Sequence, residues 1–239
     1  MRETPPAVDA DDQRRAVRDR YGDIAVESDS CCDGTANVDS SSGGSPGEAA
    51  DLAQRMGYSD EELSTVPDAA NLGLGCGNPT ALAALQAGET VLDLGSGAGF
   101  DCFIAAEEVG DAGHVIGVDM TPEMVETARE NAAESDADNL EFRLGEIEHL
   151  PVADASVDAI LSNCVVNLSP EKSQVFAEAF RVLRPRGRLA ISDVVKTTRL
   201  PAELRTDLES LTGCIAGAAR IEELESMLAE AGFESIAVE

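Results

Sequence analysis

Tryptophan is absent from this 239-residue chain, and aromatic residues make up only 3% of it. The core must therefore be built from aliphatic side chains, which the 43% hydrophobic content allows. That length fits one large domain, or one domain with a small appendage. Lysine is nearly missing too: Lys172 and Lys196 are the only two. Seventeen Lys and Arg stand against 46 Asp and Glu, a formal net charge of −29. Such a charge argues against a nucleic-acid phosphate partner and against an anionic membrane surface. Carboxylates in excess with few lysines match a halophile surface, where salt screens the self-repulsion; a plain acidic protein is the other reading. No apolar run reaches membrane-spanning length, and Met1-Arg2-Glu3-Thr4-Pro5 does not open a signal peptide. These absences predict a cytoplasmic protein with reduced thiols. The six cysteines then read as reactive, metal-binding or core residues before they read as a disulfide frame.

Residues 11–27 read as a charged helix ending near Tyr21-Gly22. Residues 28–50, rich in Ser, Gly and Asp, read as a loop. Short helices follow over 47–57 and 59–65, then a glycine-rich loop from Asn71 to Pro79 and a helix over Thr80–Gln86. From there strand and helix alternate. Strands are predicted at Thr90–Leu94, Val115–Asp119, Leu140–Leu144, Val157–Ser162, Arg188–Val194 and Ser235–Val238. Helices are predicted at Phe100–Val109, Pro122–Ala133 with Thr121 as N-cap, Pro170–Leu183 closed by Pro185 and Gly187, Pro201–Thr212 and Ile221–Ala231. This alternation argues for an α/β fold, a mostly parallel sheet with helices on both faces. The organisation divides into an N-terminal segment, 1–65, that carries the Cys31-Cys32 pair, and a main domain, 66–239.

The run Val91-Leu92-Asp93-Leu94-Gly95-Ser96-Gly97-Ala98-Gly99-Phe100 breaks from an apolar strand into three alternate glycines and then opens a helix. Glycine lets a ligand approach the backbone, and such turns are where nucleotide-like cofactors dock in open α/β sheets. Asp119 closes the next strand, where a carboxylate can accept from both ribose hydroxyls; a solvated strand-end acid is the alternative. After the third strand, Ile147 is placed to pack on an adenine and Glu146 to accept from its amine. Gly-x-Gly-x-Gly departs from the dinucleotide fingerprint, which argues against a nicotinamide site. His114 begins a strand at the far end of the sheet and His149 reads as exposed, so neither is a base.

Taken together, these residues resemble the class I S-adenosylmethionine-dependent methyltransferases. The likeness runs from about Glu89 to Val194 and includes Gly145-x-x-x-x-Leu150-Pro151 and Asp154-x-Ser156-Val157-Asp158. It implies a Rossmann-like fold and S-adenosylmethionine as cofactor. It assigns Asp93, Gly95, Ser96, Gly97 and Gly99 to the methionine side, Asp119 and Met120 to the ribose, Glu146 and Ile147 to the adenine, with Asn163 nearby. Position 146 is more often Asp in such relatives. Their sheets end in an antiparallel seventh strand, for which residues up to 239 leave no room.

Cys164 follows the fourth strand at the carboxyl edge of the sheet, where ligands bind. Cys76 and Cys214 occupy glycine-flanked loops able to cover that edge. Cys102 reads as a core residue on an amphipathic helix. Cys31 and Cys32 read either as incidental or as mobile resolving thiols. Three thiolates select a soft centre over magnesium or calcium, and zinc would want a fourth ligand. Trivalent arsenic takes three thiolates and keeps a lone pair that can attack a sulfonium methyl.

The segments Asn71–Pro79, Gly117–Met124, Ser162–Pro170 and Gly213–Ala218 closely resemble arsenite methyltransferases. That likeness implies that Cys164 and Cys214 hold the arsenic of arsenite or its thiol conjugates. It implies that Cys76 joins them or forms a disulfide during turnover with Cys31 or Cys32. It further implies a thiol reductant, glutathione-like or thioredoxin-like, and a role in arsenic detoxification. Two other readings stay open: a methyltransferase of a small organic acceptor, and a non-catalytic thiolate module that binds metalloid.

Overall fold

The computed structural model describes residues 9–29, 46–135, 137–198 and 217–238. Cys31, Cys32, Cys214 and the helix expected over Pro201–Thr212 lie outside them. Five strands form one parallel sheet: β1 (Thr90–Leu94), β2 (His114–Asp119), β3 (Leu140–Leu144), β4 (Val157–Asn163) and β5 (Leu183–Ser192). Their order is β3-β2-β1-β4-β5, with Leu92 opposite both Ile116 and Ile160. The order reverses between β1 and β4, and a crevice opens there at the carboxyl ends of the strands.

Strand alternation sends neighbouring side chains to opposite faces. Val91 joins one core with Ala83 of α4 (Pro79–Ala83), Val109 of α5 (Phe100–Val109) and Val125 of α6 (Pro122–Glu134). Leu92 and Leu94 join the other, with Val175, Phe176 and Ala179 of α7 (Lys172–Val182). Leu224, Met227 and Leu228 of α8 (Ile221–Ala231) pack against that same core. Helices cover both faces, as the alternation requires. Among the described residues no helix is long and apolar enough to cross a membrane.

Several features differ from the sequence reading: β5 begins five residues before the expected Arg188, and α4 ends three residues before the expected Gln86. The first helix, α1 (Ala10–Asp29), passes through Gly22 instead of ending there. A Cβ at Gly22 would stand 3.3 Å from Glu123 Oε2, so this glycine marks close approach to the start of α6. Pro185 and Gly187 do not follow a helix end with a turn; they lie within β5. The pairing there jumps from Val157–Leu183 to Ala159–Arg188, and the residues between bulge outward. Ser235–Val238 forms no strand, and Ile236 and Val238 are exposed. Thr121 sits at the N-cap without a capping side-chain bond; its N–H donates instead to Asp119 Oδ1 at 2.9 Å.

Candidate active site

The crevice is a pocket between the glycine loop, the ends of β2 and β4, the 71–79 loop and α1. Asp93, Gly95, Ser96, Gly97, Asp119, Met120, Ile147, Asn163 and Cys164 line it. The loop after β1 is tied to β2 by N–H bonds from Gly95 and Ser96 to Val118 O, at 2.8 and 3.1 Å. Gly95 has φ +66°, and a Cβ there would stand 2.4 Å from Val165 Cγ2, so only glycine fits. Asp119 accepts from Gly97 N–H at 2.9 Å, which fixes its carboxylate at the pocket wall. Burial raises its pKa, against backbone bonds that lower it.

Three of the expected residues stand off the pocket wall. Gly99 is the N-cap of α5 and packs against Phe142. Glu146 faces α1, where Arg18 lies at 3.4 Å and Arg14 at 3.9 Å. Its buried neighbour Glu148 takes the pocket position and accepts from Ser169 Oγ at 2.5 Å. Cys76 stands behind the wall, bonded to Cys164. Helix α1 contributes Arg14, Val17 and Tyr21 to the lining, which the sequence reading missed. The four-residue spacing of Val17, Tyr21 and Ala25 was the available signal.

Behind the glycine loop lies a network of buried acids. Tyr58 follows α2 (Pro46–Arg55) and precedes α3 (Asp60–Ser64); its hydroxyl donates to Asp101 Oδ1 at 2.5 Å. Burial pushes the Asp101 carboxyl up to about 6, and the bonds from Tyr58 and Asn163 restrain the rise. Burial, with Asp101 nearby, also holds Asp93 well above the usual carboxylate range. Cys102, buried as expected, lies with its thiol 3.3 Å from Asp93 Oδ2. Asn163 joins this network to the thiols. Its Nδ2 faces Tyr58 Oη, Gly77 O and Asp101 Oδ2 at 3.0, 2.9 and 3.1 Å. Its Oδ1 accepts from Cys76 N–H at 2.9 Å.

Cys76 and Cys164 form a disulfide, with Cα atoms 6.0 Å apart. The expectation of reduced thiols is thus corrected for this pair. Cys31 and Cys32, the partners that the resemblance implies for Cys76 during turnover, lie outside the described residues. Gly77 permits the approach, since a Cβ there would fall 2.1 Å from Ser192 Oγ. Cys164 N–H donates to Ser192 O at 2.8 Å, at a φ of 56° that non-glycine residues rarely adopt.

The donor set suits a nucleoside sulfonium cofactor. Asp93 and Asp119 supply two carboxylates that burial disfavours as anions and a bound cation or hydroxyl would satisfy. Ser96 Oγ is buried and without a hydrogen-bond partner among the described residues. Ile147 offers an apolar wall. A doubly wound sheet with such a pocket at its switch point is that of a cofactor-binding α/β protein.

The family model described as "Methyltransferase domain" matches residues 85–232, and the chain belongs to that family. It is 57% identical over 233 residues to an arsenite methyltransferase of Halobacterium salinarum, covering 96% of this chain and 59% of that one. It is 41% identical over 152 residues to the human arsenite methyltransferase, covering 60% and 40%. The fold matches the crystal structure of an arsenic(III) S-adenosylmethionine methyltransferase from Chlamydomonas reinhardtii with a TM-score of 0.60 at 37% identity, covering 77% and 61%. The chain thus spans about three fifths or less of the length of these relatives.

Proposed function

We propose that this chain transfers a methyl group from S-adenosylmethionine to thiolate-bound trivalent arsenic. One observation carries the reading: Cys164 lines the pocket, and Cys76 is brought against Cys164 from a separate loop behind the pocket wall. The names of the relatives support it.

S-adenosylmethionine supplies, when bound, a methyl group on a sulfonium centre, an electrophile for the arsenic lone pair. The chain's own residues hold and orient. Asp119 would accept from the ribose hydroxyls, Asp93 and Ser96 would face the methionine side, and Ile147 would pack on the adenine. Cys164 and Cys76, once reduced, form As–S bonds with the substrate; hydroxide or a thiolate leaves with the thiol proton. Cys214 is the third sulfur in this reading. The disulfide must first be opened by two electrons and two protons, the task of a glutathione-like or thioredoxin-like reductant. A lone-pair nucleophile needs no general base, so rate enhancement rests on proximity and alignment. The thiolate form is required, so activity falls at low pH.

The test is S-adenosylhomocysteine release in high-KCl buffer with a dithiol, with and without arsenite. Release should depend on arsenite, and Cys164→Ser or Cys214→Ser should abolish it while cofactor affinity stays the same. Arsenite-independent release that survives both substitutions would instead mark a small organic acceptor. Arsenite binding without any release would mark a non-catalytic module.

A further inference from the structure

Counting thiols along the sequence leaves out a carboxylate that the fold delivers to them. An oxygen of Asp193 and the Sγ atoms of Cys76 and Cys164 all lie within 4.8 Å of one another. Asp193 directly follows β5, whose last residue, Ser192, accepts the Cys164 N–H and places its carbonyl 3.3 Å from Cys76 Sγ. The Asp193 carboxylate is held from behind. Asn167 N–H donates to Oδ2 at 3.0 Å, and Asn167 Nδ2 donates to Oδ1 at 2.7 Å. Val194 N–H donates to Oδ1 at 2.8 Å. An ionised carboxylate has about four acceptor positions. Three donors orient it and leave one position for another partner.

We propose that, with the disulfide reduced, Cys76, Cys164 and Asp193 bind a divalent thiophilic cation, zinc being the ion whose chemistry fits. Two thiolates and one carboxylate carry three negative charges against two positive, and the thiols release two protons on binding. Sulfur donors exclude magnesium and calcium, which take oxygen. Three protein ligands with water in the fourth position is an established open arrangement for zinc. Hydrogen bonds that orient a ligating carboxylate are the usual outer support of such sites, and Asn167 provides them here. The site needs only the dithiol and Asp193, so it stands independently of the arsenite reading. An ion bound there would occupy Cys164 and shield the pair from oxidation.

The probe is zinc chloride, added to the full chain carrying Cys31→Ser, Cys32→Ser and Cys214→Ser. These changes leave the pair and the buried Cys102. The protein is reduced with a phosphine, desalted without oxygen and titrated against a chromophoric chelator. X-ray absorption at the zinc edge then reads the ligands. One zinc per chain is expected, with two sulfurs at about 2.3 Å and oxygens at about 2.0–2.2 Å. Asp193→Asn should weaken binding at least tenfold and leave arsenite binding unchanged. The disulfide form keeps the fold and offers no thiolate, so it should retain no zinc; this control needs no Asp193 variant. Zinc bound equally by the oxidised and reduced proteins would overturn the proposal, as would an Asp193→Asn protein with unchanged affinity and spectrum. Loss of the zinc site with arsenite-dependent release intact would remove this proposal alone. Zinc binding to this variant, with no arsenite-dependent release from the chain that keeps all six cysteines, would remove the arsenite reading alone.

Discussion

Replacing Tyr58 by Phe removes one hydroxyl from the buried acid network and leaves the rest of the packing in place. The ring stays edge-on to Phe100, at a centroid distance of 4.9 Å. Asp101 loses the hydroxyl 2.5 Å from its Oδ1 and keeps the bond from Asn163. A hydrogen bond to a charged group contributes about 1.5–3 kcal/mol. Part of this is recovered, because Asn163 Nδ2 has two hydrogens for three acceptors and loses only one acceptor. The expected loss is therefore about 2 kcal/mol when Asp101 is ionised, near the lower end of the charged range. The sign with pH follows from Asp101. Its folded value of about 6 exceeds the unfolded value, so the folded state is favoured at low pH. That contribution is lost as pH rises towards 6. At pH 8 the carboxylate is charged and feels the full loss. At pH 5 it is mostly protonated, and a neutral bond contributes only about 1 kcal/mol. The tyrosine stays protonated throughout, because burial and the neighbouring acid push its pKa upward. Urea and thermal unfolding in high KCl at pH 5 and pH 8 measure the difference. At pH 8 the melting temperature should fall by about 4–8 °C. A loss that is equal at both pH values, or larger at pH 5, would refute the assignment of a charged Asp101 to this network.

Gly95→Ala forces a Cβ into Val165 at a positive φ. It should cost about 1–3 kcal/mol in strain and weaken S-adenosylmethionine binding at least tenfold by calorimetry; unchanged affinity would show that the loop is not the cofactor cradle. Added KCl should raise the melting temperature. The net charge of −29 repels itself less as the Debye length falls from about 10 Å at 0.1 M to about 3 Å at 1 M; a flat profile would leave only a plain acidic protein. Cys164→Gly should be more stable than Cys164→Ala by about 1 kcal/mol, since both lack the disulfide and glycine takes a positive φ without strain. Equal unfolding midpoints would show that the 164 backbone relaxes once the disulfide is gone.

The central strands β1, β2 and β4 were legible because buried parallel strands read as nearly continuous apolar runs between turn signals, and the edge strand β3 by its alternation of apolar and charged residues, Leu140-Glu141-Phe142-Arg143-Leu144. β1 and β3 fall on the residues expected, and β2 and β4 within one residue of them. The glycine loop, Asp119 and Ile147 were legible because their chemistry is local to one turn each. Misreadings occurred where a residue's meaning depends on a distant partner. Gly22 reads as a helix end in isolation and is a contact with α6 in the fold. Glu146 and Glu148 are indistinguishable by type. Only Arg14 and Arg18, more than a hundred residues away, draw the first outward, while Ser169 holds the second at the pocket. Tyr58, Asp101 and Asp193 carry no motif of their own. What they do follows from which strand ends stand side by side.

Asn163 shows why the pocket and the thiols form one construction. It closes β4, directly before the strained Cys164. Its amide grips the 71–79 loop through Cys76 N–H and Gly77 O, and the cofactor side through Asp101. A left-handed cysteine costs about 1–2 kcal/mol over a relaxed one. The bond to Ser192 and the close fit of Val165 against Gly95 help to offset it. The backbone at 164 would be satisfied by glycine, so the turn does not require cysteine. The turn does, however, set the Cys164 sulfur against the pocket and beside Cys76. The Asn163 amide is hydrogen-bonded to Asp101 on one side and to the Cys76 backbone on the other, so it links the acid network directly to the sulfur pair.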